Sequence, residues 1–134
     1  MASIRREIPI HASAQTVWQA LRDVGALHTK LVPGFVTNCV LEGQARTVTF
    51  SNGLTARELI VDVDDFAMRV AWAAVGGRLS HHNASAQVMP ISATDCTVVW
   101  VADLLPHELA PAIAGMIEQG LAAMKRHLES ANAA

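Results

Sequence analysis

Between residues 35 and 103 the chain is cut into six strand-length segments by breaks too short to cross a sheet. Segments 35–42, 45–51, 54–63 and 68–75 end at Gly43, Asn52-Gly53, Asp64-Asp65 and Gly76-Gly77, and segments 79–89 and 97–103 flank the stretch 90–95. Gly, Asn and Asp tolerate a left-handed backbone or close Asx turns, so each break reads as a tight reversal. Parallel neighbours need a crossover of about a dozen residues or more, which these breaks do not contain. The segments must therefore pair as antiparallel hairpins. Residues 4–10 add another strand, with Ile4, Arg6, Ile8 and Ile10 alternating against Arg5 and Glu7. Pro9 cannot donate to a ladder, which favours a strand end or a sheet edge. The expectation is a seven-strand antiparallel meander.

Helical patterning is confined to the two ends of the chain. Ser13 suits an N-cap, and Val17, Trp18 and Leu21 follow at helical spacing up to Arg22-Asp23. Val24-Gly25 breaks this helix, and residues 26–31 can form a second short one that Pro33-Gly34 must end. Beyond the strands, Pro106 fits a first helical turn and Glu108 the positive end of the dipole. Leu109, Ile113, Met116, Ile117, Leu121, Met124 and Leu128 then form one apolar stripe over about six turns. Pro111 lies within the first two turns and can shift the true start, and residues 131–134 are expected to fray. There are no repeats, linkers or low-complexity tracts, so residues 1–134 read as one domain.

Composition sets the function classes. A chain with 51% hydrophobic and 16% charged residues has ample material for a core. Its net charge of −2 and scattered basic residues give no footprint for nucleic acid. No apolar run approaches the ~20 residues of a membrane span, and the N-terminal MASIRREIPI lacks the layout of a secretory signal. The expected location is the cytoplasm. Cys39 and Cys96 fall in different strands without C-x-x-C spacing and read as reduced, partly buried thiols. His81 and His82 are adjacent in a strand, so they point to opposite faces and cannot chelate one ion; no metal or other cofactor is expected.

Strands in the middle and helices at the ends make an α+β pattern. A twisted sheet curls around the one element long enough to cover it, the C-terminal helix. A single helix cannot fill so wide a concave face, and the shortfall is a cavity.

The sequence resembles the SRPBCC superfamily, the helix-grip fold of START lipid-transfer domains, polyketide cyclase/dehydrase-like proteins, the major birch-pollen allergen and the plant abscisic acid receptors. The local marks are Pro9 to Trp18 with Arg22-Asp23, then Gly43-x-x-Arg46 with Asn52-Gly53 and Arg57-Glu58-Leu59. Gly76-Gly77-x-Leu79 with Asn83, Val99-Trp100, and Leu121-x-x-Met124-Lys125-x-x-Leu128 complete them. The resemblance runs end to end. It implies a seven-stranded curved antiparallel sheet around a long C-terminal helix, with two short helices after the first strand. It further implies a mobile loop over the pocket mouth near Gly76 to Leu79, an inward-pointing residue at Glu58, and a pocket-end position at His28. On the residues alone His28 reads as an exposed loop residue.

Strand parity leaves two alternatives. A three-residue loop 51–53 puts Phe50 opposite Leu54, and Val48, Ala56, Arg46 and Glu58 then share a face. A two-residue Asn-Gly turn would put Arg57 and Leu59 there instead. The resemblance favours the first. Pairing Asp62 with Met68 then sets Ile60 beside Val70 and Glu58 beside Trp72, and pairing Val88 with Val98 sets Ala86 beside Trp100 and Ala84 beside Ala102. The expected lining is Val48, Phe50, Ala56, Ile60, Met68, Val70, Trp72, Ala84, Ala86, Val88, Val98 and Trp100. From the helix come Ile113, Met116, Ile117, Gly120, Leu121 and Met124. The polar groups set into this wall are Arg46, Glu58, His82 and Asn83.

Three readings of Arg46 and Glu58 stay open: anchoring of a polar ligand end, a structural ion pair, and general acid–base catalysis by Glu58 with Arg46 and His82. Trp18 reads as packing alone. The leading expectation is a binder of a small hydrophobic or amphipathic molecule, as carrier, sensor or store. The rivals are a polyketide cyclase/dehydrase-like enzyme and a protein-interaction module, the last including a homodimer. Absence of tyrosine, a common phenol donor in such pockets, weighs against the enzyme.

Overall fold

The computed structural model describes residues 2–133. Strand β1 (Ser3–Ile10) leads into helix α1 (Ala14–Leu21) and a π-helical turn (Leu27–Leu31). Strands β2 (Val36–Glu42), β3 (Ala45–Phe50), β4 (Thr55–Asp64), β5 (Arg69–Val75), β6 (His81–Pro90) and β7 (Cys96–Leu105) follow, and α2 (Ala110–Ala133) ends the chain. All seven strands form one antiparallel sheet in the order β1-β7-β6-β5-β4-β3-β2. Strands β2 to β7 are the expected meander, but β1 pairs with β7 rather than β2. The long connection through α1 and the π turn carries the chain to the opposite edge, and Pro9 accordingly lies in an edge strand.

Helix α1 begins where the N-cap is expected, with Ser13 Oγ accepting the Thr16 N–H at 3.1 Å. Its face of Val17, Trp18 and Leu21 is buried. Trp18 does more than pack: its Nε1 donates to Asp65 at 3.0 Å, alongside Arg22, and together they hold the β4–β5 turn. The next helix is one wide turn, closed by the Val32 N–H on the Leu27 carbonyl at 2.9 Å.

Two expectations of register separate here. The β3–β4 hairpin takes the first alternative, with Arg46 opposite Glu58 and Val48 opposite Ala56. Gly53 holds φ +89° and donates to the Phe50 carbonyl at 2.9 Å, which makes the three-residue loop. The β4–β5 pairing differs from expectation: Ile60 faces Trp72, Glu58 faces Ala74, and Asp62 faces Ala71. Asp64 accepts the Ala67 N–H at 3.0 Å and Met68 turns left-handed at φ 53°, so Met68 belongs to the turn and β5 starts at Arg69. A bulge between Ile60 and Asp62 absorbs the extra residue and turns Val63 back toward Val70.

The C-terminal helix also starts later than Pro106. That residue is extended, a single 3-10 turn (His107–Leu109) follows, and α2 begins at Ala110 with Pro111 in its first turn, where a missing N–H costs no helical bond. The helix continues to Ala133, past the point where fraying is expected; Ala134 lies outside the described residues. No helix among the described residues is long and apolar enough to cross a membrane.

Along its second half α2 buries Leu121, Met124 and Leu128 in a core with Ile10, Val17, Val88 and Val98. Lys125 fastens this end by bonds to the Pro9 carbonyl at 2.8 Å and to Glu129, which itself takes the His11 N–H at 2.8 Å. The first half is looser. Ile113, Ala114 and Met116 are only half-buried, and beneath them the fold is hollow.

Candidate functional site

A polar row crosses the inner face over four neighbouring strands, β3 to β6. Arg46 on β3 stands opposite Glu58 on β4, and Glu58 stands opposite Ala74 on β5. The β5–β6 ladder ends at Trp72–Ala84; two residues on, the Ala74 N–H donates instead to His82 Nδ1 at 2.9 Å. A side chain of β6 thus replaces a backbone acceptor. The small Ala74 methyl leaves a gap in the row between carboxylate and imidazole.

Protein groups hold Arg46 through two of its nitrogens. Its Nε donates to Glu58 Oε1 at 2.8 Å, its Nη1 to the Val24 carbonyl at 3.1 Å, and its guanidinium lies 5.5 Å from the Trp72 ring centre. The two side chains are 5% and 12% exposed, so this is a buried, charge-compensated pair. Among the described residues nothing bonds Glu58 Oε2, and that oxygen is not sealed in.

His82 has one nitrogen committed. Because Nδ1 accepts from Ala74, the ring hydrogen is assigned to Nε2 and the imidazole is neutral. Burial, and secondarily His81, push its pKa below the ordinary value, which agrees with that tautomer. His81 faces outward and bonds Asn83 at 2.7 Å, so the two histidines do take opposite faces. No cluster of three metal-ligating side chains occurs among the described residues.

The row borders a cavity of about 250 Å³. Of the expected residues, Arg46, Val48, Phe50, Ala56, Glu58, Val70, Trp72, His82, Ala86, Trp100, Ile113, Met116, Ile117 and Met124 line it. Trp72 and Trp100 meet edge to face at 5.6 Å, and Phe35 and Phe50 do so at 5.4 Å. The wall is therefore aliphatic and aromatic, with Arg46, Glu58, His82 and Thr55 as its only charged, imidazole or hydroxyl side chains among the described residues.

Several expected residues stand elsewhere. Asn83 alternates to the outer face and bonds Asp103 at 3.1 Å. Ala84 is buried beside Trp72 without reaching the hollow. Gly120 is covered by rings: a Cβ there would come within 2.9 Å of Trp100 and 3.2 Å of Phe35, so this glycine lets α2 approach the sheet. Val88, Val98 and Leu121 belong to the solid core, while Ile60 and Met68 pack at its margin. His28, expected to be exposed, is half-buried with an unbonded Nδ1 and does not line the cavity.

Leu21, Leu27, Leu31, Val32, Phe35 and Val36 are lining residues that the strand parity argument passes over. Leu54, Leu79, Ala74, Ala102 and Thr55 complete the additions. Both cysteines are free and buried, and burial raises both thiol pKa values, which disfavours the reactive thiolate.

Known proteins share this architecture. An uncharacterised protein from Bacillus thuringiensis matches with TM-score 0.86 at 18% identity, covering 95% of this chain and 98% of its own. A protein from Thermobifida fusca matches with TM-score 0.76 at 26% identity over 96% of this chain and 91% of its own. Norcoclaurine synthase from Thalictrum flavum, solved with dopamine and hydroxybenzaldehyde, gives TM-score 0.73 at 20% identity over 98% and 86%. Among curated proteins none matches. The family model described as polyketide cyclase / dehydrase and lipid transport matches residues 1–129, and the chain belongs to that family, with its SRPBCC-type helix-grip fold.

Proposed function

We propose that this protein binds a small, largely apolar molecule in the cavity, with one polar end held at Arg46, Glu58 and His82. The observation that carries this reading is a roughly 250 Å³ hollow whose wall is aliphatic and aromatic except for that short polar row and Thr55. An apolar hollow with a few convergent polar groups is the usual form of a small-molecule site. The family description includes lipid transport, in keeping with a carrier, sensor or storage role.

Trp72 and Trp100 make the test direct, since both line the cavity. Titration with naphthalene-based apolar probes should change tryptophan emission saturably, and native mass spectrometry should show a one-to-one complex. Probes that leave emission and mass unchanged overturn the reading.

A second reading, a cyclase- or dehydrase-type enzyme, is favoured by one observation. An open carboxylate oxygen and a neutral imidazole flank the same gap, the arrangement general acid–base chemistry uses. Turnover of a poly-carbonyl substrate that is abolished by Glu58→Gln would favour it. Unchanged turnover in that variant removes Glu58 from the chemistry.

A further inference from the structure

We infer that the cavity selects a neutral ligand whose polar end both donates and accepts a hydrogen bond, such as a carboxamide or a hydroxy-carbonyl edge, and rejects carboxylates and ammonium ions. This deepens the binding reading above and rests on it.

The inference follows from what the row has left over. Arg46 spends its charge on Glu58 Oε1 at 2.8 Å and a further donor on the Val24 carbonyl at 3.1 Å. The guanidinium charge is therefore balanced before any ligand arrives, although Nη2 keeps its hydrogens unbonded among the described residues. Glu58 keeps Oε2 as a free acceptor. His82 has Nδ1 committed to Ala74, which leaves Nε2–H as a free donor on the same wall. Glu58 and His82 lie on β4 and β6 with only Ala74 of β5 between them, roughly two strand spacings of about 4.8 Å each. One acceptor and one donor facing a gap of that width match a ligand edge of opposite order.

Charge decides the rest. A carboxylate would bring a second anionic group to Glu58 Oε2 with a single guanidinium to serve both, and it has no hydrogen for that oxygen. An ammonium would satisfy Oε2 but meet the positive ends of Arg46 and His82 Nε2–H, and it has no acceptor to offer. Either ion would also lose its hydration in an apolar hollow, a cost that nothing in the row offsets. Size narrows the class further. A dry cavity of about 150 Å³ holds one benzene ring, so the present 250 Å³ suits a fused bicycle with a short polar group.

The test is calorimetric titration at pH 7.5 of four matched probes: 2-naphthamide, 2-acetonaphthone, 2-naphthoate and 2-naphthylmethylamine. The amide should bind tightest. The ketone, which accepts only, should be weaker by about tenfold, the value of one net hydrogen bond. The two ions should be weaker still. Glu58→Gln frees the Arg46 charge, so in that variant the naphthoate should overtake the amide, with circular dichroism confirming the fold. Should that variant fail to fold, His82→Phe removes the donor together with the acceptor of the Ala74 N–H, and with circular dichroism confirming the fold, amide and ketone should then lose affinity together by about tenfold. If naphthoate or the amine equals or exceeds the amide in the native protein, the neutral-ligand inference falls while binding stands. If none of the four binds, the binding reading itself fails.

Discussion

Arg46 and Glu58 contribute to this fold in a lopsided way. Burying two charges gains little over a well-packed apolar pair, yet removing one partner strands the other in a medium that cannot solvate it. Arg46→Met should therefore destabilise the protein by about 3–5 kcal/mol, read as a lowered urea midpoint at unchanged slope. The double variant Arg46→Met/Glu58→Leu should recover most of that loss; a double variant as unstable as the single one would contradict the argument. His82 gives a pH signature. Its folded pKa lies below the ordinary 6.5, so the unfolded chain binds the extra proton first as pH falls. Its contribution is intact above about pH 6.5 and is lost on acidification toward the folded value. His11 shifts the opposite way, raised by Asp95, so the comparison is between native protein and His82→Gln. The variant should lose less stability between pH 7 and pH 5 than the native protein does.

Glycine 120 shows how one position sets a whole helix. With Trp100 and Phe35 rings where its Cβ would go, Gly120→Ala must push α2 off the sheet or force a ring from its rotamer. Overpacking of this kind costs about 1–3 kcal/mol, and a lowered thermal midpoint would report it. The sequence alone marks Gly120 as a residue on the inward stripe but cannot tell a cavity wall from a close approach, because that depends on which rings meet it. The β4–β5 register illustrates the same limit. Alternation predicts which side chains face in, and Glu58, Trp72 and Val70 do so. The partner of each depends on the turn, where Asp64 caps the Ala67 N–H and Met68, which alternation counts as strand, turns left-handed. Turn lengths with Gly or Asn at the αL position were legible, as at Gly53; an Asx-capped turn compensated by a bulge at Val61 was not. Strands β5 and β6 share a short ladder that stops at Trp72–Ala84, against one running from His81 to Pro90 between β6 and β7. The Ala74 amide, held across that seam by the His82 side chain alone, should therefore exchange with solvent faster than those of β7, and a bound ligand should slow it. Equal rates in both strands would show that this seam does not open.

For the molecule as a whole, order of elements and turn length were enough to reach the antiparallel sheet, the gripping helix and an internal hollow. The missing part was β1, whose place beside β7 follows from where α1 and the π turn carry the chain, a long-range outcome with no local sequence mark. Arg46, Glu58 and His82 were legible as members of the polar row, Asn83 was placed there wrongly, and the state of the row was opaque, since His82 owes its tautomer to a backbone amide of another strand. The self-balanced ion pair has a consequence for encounter rates. A hollow with no net charge, in a chain of net charge −2, exerts almost no pull on a ligand at a distance. Association should then depend on diffusion and on the opening of the mouth alone. Stopped-flow on-rates for a neutral probe should stay constant within about twofold between 10 mM and 1 M salt, a range over which the screening length falls from about 30 Å to 3 Å.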